Sequence, residues 1–173
     1  MAGLFERGIK SELRSSMPRR ILIADDHESV LRRVRAMIES QPDWQICADA
    51  VNGREAIRKA IELNPDAVIL DFAMPQLDGL KTASEINKLL PDVPIIMFSM
   101  YATQLREEVQ KHGICLLIDK TNSGDLVTEL EKLFEAQIKQ REAEPPSATA
   151  VPIAATPHAD VRGDESLPFR KVS

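Results

Sequence analysis

The chain has 173 residues, 43% hydrophobic and 4% aromatic, with a net charge of −5. That length predicts one domain with room for extensions. An acidic chain without clustered Lys and Arg excludes a general nucleic-acid binder, and no apolar stretch is long enough for a membrane span.

Residues 1–18 begin MAGLFERGIKSELRSS, with charges where a secretory leader needs an apolar centre, which predicts a cytoplasmic protein. Their few apolar residues, Leu4, Phe5, Ile9 and Leu13, predict a largely disordered extension. The first apolar run, Ile21 to Ala24, ends on Asp25-Asp26. Val30, Leu31, Val34, Met37 and Ile38 then fall on one face of a helix. A second run, Trp44 to Ala48, precedes a helix with Ala56, Ile57, Ala60, Ile61 and Leu63 on its inner face, stopped at Asn64-Pro65. The third run, Ala67 to Leu70, ends on Asp71, and the turn chemistry of FAMPQLDG follows. Leu80, Ala83, Ile86, Leu89 and Leu90 mark the next helix, closed by Pro91. A fourth run, Ile95 to Phe98, meets Ser99. The helix after it, about 103–112, has Leu105 and Val109 as its clear anchors and is the weakest. Gly113 stops it, a fifth run from Ile114 to Ile118 leads to Lys120, and Leu126, Val127, Leu130, Leu133 and Phe134 repeat as a last helix. From Glu144 the sequence EPPSATAVPIAATPHADVRGDESLPF has no sustained period, so residues 139–173 are expected to form a disordered Pro/Ala-rich tail.

Five continuous apolar runs alternating with helical patterns predict a doubly wound α/β domain over residues 19–138, built on a parallel sheet covered on both faces. Ligands of such sheets bind beyond the carboxyl ends of the strands. Asp25-Asp26, Asp71, Ser99 and Lys120 all stand at such ends.

Each residue has a plainer reading. Asp25 or Asp26 could cap the next helix with Glu28 as its box partner, and Asp78-Gly79 suits a turn or helix start. Ser99 suits a loop and Lys120 a solvated charge. Asp71 resists this reading, because a carboxylate at a buried strand end is costly unless paired. Together the three acids favour a raised pKa or a bound cation, and oxygen donors select a hard ion such as Mg2+. Such a site suits phosphate: Asp71 to attack phosphorus, Ser99 to donate to one phosphoryl oxygen, Lys120 to pair with another. Cys47 and Cys115 lack metal-type spacing, and His27, His112 and His158 are scattered, so these read as structural thiols and surface imidazoles.

The pieces ILIADDHESV, VILDFAMPQLDG, PIIMFS and LLIDK, in that order and spacing, resemble the receiver domain of two-component response regulators over about residues 19–137. The resemblance is nearest to receivers whose output module is of the LuxR type. It implies a flavodoxin-like five-stranded parallel sheet of order 2-1-3-4-5, the order of the chemotaxis receiver. By the same resemblance Asp71 is the phosphoacceptor and Asp25-Asp26 the acidic pair. Asp26, Asp71 and the backbone carbonyl of Ala73 hold Mg2+, Ser99 is the switch hydroxyl, and Lys120 is the family lysine. The donor is a histidine kinase or phosphotransfer protein. In that order Cys47 and Cys115 lie on opposite edges, about 19 Å apart, too far for a disulfide.

The sequence departs from the family in places. Leu117 stands where relatives commonly carry a switching aromatic, which leaves Tyr101 as a candidate aromatic switch. Thr121 replaces the proline that often follows the lysine. No helix-turn-helix pattern follows, so the expected product is a single-domain regulator that signals to an unknown protein partner and turns over no separate substrate. An aspartyl-phosphate hydrolase is disfavoured because position 73 is alanine where a second carboxylate is needed. A phosphorylation-independent scaffold is the remaining alternative.

Overall fold

Alternation within each apolar run decides which layer its side chains join. The computed structural model describes residues 17–143 and contains β1 (Arg19–Ala24), β2 (Trp44–Ala50), β3 (Ala67–Leu70), β4 (Ile95–Ser99) and β5 (Leu116–Asp119). All pair in parallel in the order β2-β1-β3-β4-β5. Ile21, Ile23, Ile69, Ile96 and Phe98 face one layer, and Leu22, Ala24, Leu70, Ile95 and Met97 face the other. A period of two along strands buried on both faces produces this split.

The first layer is closed by α1 (Glu28–Glu39) and α5 (Asp125–Ala143), through Leu31, Val34 and Ile38 and through Leu126, Leu130 and Phe134. The second is closed by α2 (Gly53–Leu63), α3 (Gly79–Leu89) and α4 (Ala102–Leu105), with Ala56, Ala60, Ala83, Ile86 and Leu105 turned inward. Glycine sets the α2–α3 approach: a Cβ on Gly53 would lie 2.1 Å from Thr82 Oγ1. β2 carries a bulge, since Ile21 pairs with Ile46 and Leu22 with Ala48, leaving Cys47 as the extra residue. Both cysteines are free.

Several boundaries differ from the sequence expectation. The helix expected over 103–112 is one turn of α4, a turn, and a 3-10 segment Val109–His112. Leu105 and Val109 are buried, but Thr103, Gln104, Arg106, Glu107, Gln110 and Lys111 are exposed. Two anchors bury too little to hold a continuous helix, because short helices depend on tertiary packing. Ile61 (52% exposed) and Leu89 (53%) sit at helix ends and turn to solvent, despite matching the apolar period. α5 runs to Ala143, past the end of its apolar stripe. Residues 139–143, expected to begin the disordered tail, are helical as the end of α5, and the rest of the disorder expected for residues 1–18 and 139–173 falls on 1–16 and 144–173, outside the described residues.

Candidate functional site

β1 and β3 are neighbours, with Ala24 opposite Leu70, so the residues after them emerge side by side. The Asp71 N–H donates to the Ala24 carbonyl (2.8 Å) and the Asp25 N–H to the Ala50 carbonyl (3.0 Å). These bonds extend the ladder one residue and hold two carboxylates at the rim. Asp25 is 4% exposed and Asp71 5%, so both need partners.

Lys120 supplies them. It opens a 3-10 turn (Lys120–Asn122) directly after β5, and its Nζ lies 2.5 Å from Asp25 Oδ2 and 2.9 Å from Asp71 Oδ1. Burial pulls the Lys120 ammonium down, but the hydrogen bonds and charges of Asp25 and Asp71 outweigh it and hold the group above its ordinary 10.5. The lysine backbone is fixed as well, its carbonyl accepting from Arg33 of α1 at 3.1 Å. Thr121 N–H donates to Asp119 Oδ1 (2.8 Å), a bond that a proline at this position could not make.

The other oxygens of the two acids are taken by the backbone. Ala73 N–H donates to Asp71 Oδ2 (3.1 Å) and His27 N–H to Asp25 Oδ1 (2.9 Å). Asp26, unlike Asp25, points outward, and His27 Nδ1 lies 2.6 Å from its Oδ1. Neither acid caps α1: the N-cap is His27, whose side chain makes no capping bond. Asp78 is a helix cap, its carboxylate accepting from the Lys81 N–H at 2.9 Å.

Ser99 is fully buried at the end of β4, and its Oγ accepts from the Tyr101 N–H (3.1 Å). Tyr101, 47% exposed, lies edge-on to Phe72 with ring centroids 5.8 Å apart. Leu117 is half-buried against the α2–α3–α4 layer, opposite Met97. Asp25, Asp71 and Lys120 are thus joined directly, Asp26 adjoins them through His27, and Ser99 and Tyr101 form a second pair on the next strand.

Sequence reasoning missed His27, although it directly follows the acidic pair, and Arg33, which has no sequence signal. The carboxylate oxygens of Asp25 and Asp26 are the donor type that suits a hard divalent ion, and a ring nitrogen of His27 lies within 4.8 Å of them.

The strand order and the acid–lysine rim define an α/β domain of the receiver class. Residues 21–131 match the response regulator receiver domain, and the chain belongs to that family. It is 46% identical over 89 residues to protein-glutamate methylesterase/protein-glutamine glutaminase 1 of Methanosarcina acetivorans, covering 51% of this chain and 25% of that protein. It is 30% identical over 132 residues to response regulator protein VraR of Staphylococcus saprophyticus, covering 70% and 62%. The chain therefore spans from a quarter to under two thirds of these relatives. Among solved structures it resembles the Thermotoga maritima response regulator TrrA in complex with Mg2+ and BeF, with 31% identity, TM-score 0.61, and 66% and 98% of the two chains covered.

Proposed function

We propose that Asp71 accepts a phosphoryl group from a phosphohistidine of a histidine kinase or phosphotransfer protein. The observation that carries this reading is Lys120 bridging the buried Asp25 and Asp71 at the rim of a receiver-family sheet. An Asp71 carboxylate oxygen attacks phosphorus, the P–N bond breaks with its electron pair going to the ring, and the donor imidazole, protonated on its other nitrogen, leaves neutral. Asp25, Asp26, Asp71 and the Ala73 carbonyl would hold Mg2+, which when bound neutralises charge between the carboxylates and the phosphoryl oxygens. Lys120 moves from pairing two carboxylates to pairing a phosphoryl oxygen. Ser99 exchanges the Tyr101 N–H for a new acceptor and becomes a donor to it.

Output is a change in contact with another protein, without direct nucleic-acid or membrane binding and without turnover of a separate substrate. α4 and the turn after it are suited to respond, because few buried side chains oppose their movement. Tyr101 and Leu117 flank this region as switch residues. A cytoplasmic, single-domain regulator is part of the proposal. A native product with the mass of the 173-residue chain supports it, and a longer polypeptide with a further folded module removes it.

The test is incubation of the full chain with acetyl phosphate and Mg2+, followed by intact-mass measurement. One phosphoryl adduct, lost in Asp71→Asn and without Mg2+, is expected. No adduct under any condition overturns the reading in favour of a phosphorylation-independent scaffold.

A further inference from the structure

Lys120 stands where the sheet no longer holds the chain. β5 is an edge strand paired only with β4, and the last pair of that ladder is Ser99 with Asp119. The lysine is the next residue, so its backbone has no strand partner. Its side chain is still 11% exposed, with Nζ 2.5 Å from Asp25 Oδ2 and 2.9 Å from Asp71 Oδ1. A flexible four-carbon stem keeps such a position only if the backbone that carries it is held.

Two sets of bonds hold it. The Asp119 carboxylate accepts from the Thr121 N–H (2.8 Å) and from the Thr121 hydroxyl (2.7 Å), which closes the turn around Lys120. These local bonds shape the turn without fixing it against the acids. That second task falls to Arg33 of α1, whose Nη2 donates to the Lys120 carbonyl at 3.1 Å. The neighbouring arginines are used differently: Arg32 pairs with Glu28, and Arg35 with Glu39 and Asp49. Arg33 instead gives a charged donor to a carbonyl, from the helix that directly follows Asp25-Asp26-His27. One helix is thereby tied both to the acids and to the lysine that pairs with them.

We infer that Arg33 is a positioning residue for phosphoryl transfer: by holding the Lys120 carbonyl, it sets where the Lys120 ammonium meets the phosphoryl group. The inference rests on the phosphoacceptor reading above and adds to it a residue that touches neither phosphate nor metal. Lys120 must leave two carboxylates for a phosphoryl oxygen, and a fixed carbonyl confines that movement to the side chain. A bond that served stability alone would change Tm and leave the maximal rate untouched.

The test uses the full chain with Arg33→Met, which keeps an apolar stem without the donor, and Arg33→Lys, which keeps a donor. Arg32→Met, at the adjacent exposed position, is the control. Phosphorylation is followed by intact mass over a range of acetyl phosphate concentrations and of Mg2+ concentrations. The 15Nζ magnetic-resonance signal of Lys120, assigned with Lys120→Arg, is recorded on the same proteins. Arg33→Met is expected to lower the maximal rate about tenfold, since a misplacement of about 1 Å costs about 100-fold. It is also expected to shift the Lys120 signal, with half-saturating Mg2+ unchanged. Arg33→Lys is expected to recover most of the rate, and Arg32→Met to match wild type. A wild-type maximal rate or an unmoved Lys120 signal in Arg33→Met overturns the role of Arg33 and leaves Asp71 as acceptor. So does a loss cured by more Mg2+, or an equal loss in Arg33→Lys or Arg32→Met. No adduct on the wild-type chain overturns both.

Discussion

Gly79→Ala is the sharpest mechanical test of how the phosphoacceptor is placed. Gly79 opens α3, and a Cβ there would lie 2.2 Å from the Asp71 carbonyl oxygen, 2.9 Å from Phe72 Cα and 3.0 Å from the Asp71 carbonyl carbon. An ordinary C···O contact is about 3.3 Å, so α3 and the end of β3 must separate by about 1 Å. Every atom met is backbone, which cannot rotate away. Overpacking of this kind costs about 1–3 kcal/mol. The upper end applies here and lowers Tm by roughly 10 °C for a domain of this size. A shift of about 1 Å in a reacting group costs about 100-fold in rate. The assay pairs thermal unfolding with the acetyl-phosphate mass measurement at a temperature where the variant is folded. Gly124→Ala is the control, because nothing lies within 4 Å of its added Cβ. A Gly79→Ala protein with wild-type Tm and wild-type phosphorylation rate refutes the reasoning.

Gln76 has φ +67, and the Leu77 N–H donates to the Pro75 carbonyl at 2.8 Å across it. Gln76→Gly relieves this left-handed backbone and is expected to raise stability by about 1 kcal/mol in urea unfolding. Asp78→Ala removes the α3 cap and is expected to cost about 1 kcal/mol. Partial burial pushes the Asp78 carboxyl up, but Lys81 and the backbone N–H groups outweigh it and hold the group below its ordinary 3.8. Its contribution is therefore full above pH 3.8 and is lost as pH falls through the lowered value, so wild type and variant converge in acid unfolding. Ala73 has no polar side-chain atom to orient an attacking water, and Tyr101 lies edge-on to Phe72 beside it. Slow self-dephosphorylation is expected from purified phosphoprotein followed by mass; loss of the adduct within seconds contradicts it.

The layers of the sheet are legible in the sequence because buried strands leave an unambiguous run of branched residues, and the alternation of Ile21 and Ile23 against Leu22 and Ala24 needs no tertiary information. Asp25, Asp71 and Lys120 are legible as strand-end charges. Who pairs with whom is not. Lys120 reaches across β4 to both acids because side-chain length and backbone anchoring by Arg33 allow it, and neither is written in spacing. The break in the fourth helix is foreshadowed by its two anchors, but its position depends on exposure that only packing reveals. Ile61 and Leu89 fit the helical period and still face solvent, since periodicity states direction and not how far the neighbouring layer extends. Scattered histidines give no pattern of their own, so the signal for His27 was its adjacency to Asp26.

The depth of Lys120 also divides the molecule's charges into two populations. Its side chain is 11% exposed, between carboxylates at 6% and 5%, whereas Arg32 and Glu28 on α1 are 69% and 80% exposed. Dissolved ions screen charges in water over about 10 Å at 0.1 M but penetrate poorly into protein. Rising salt therefore strips the outer pairs first, and the inner triad keeps its grip in brine.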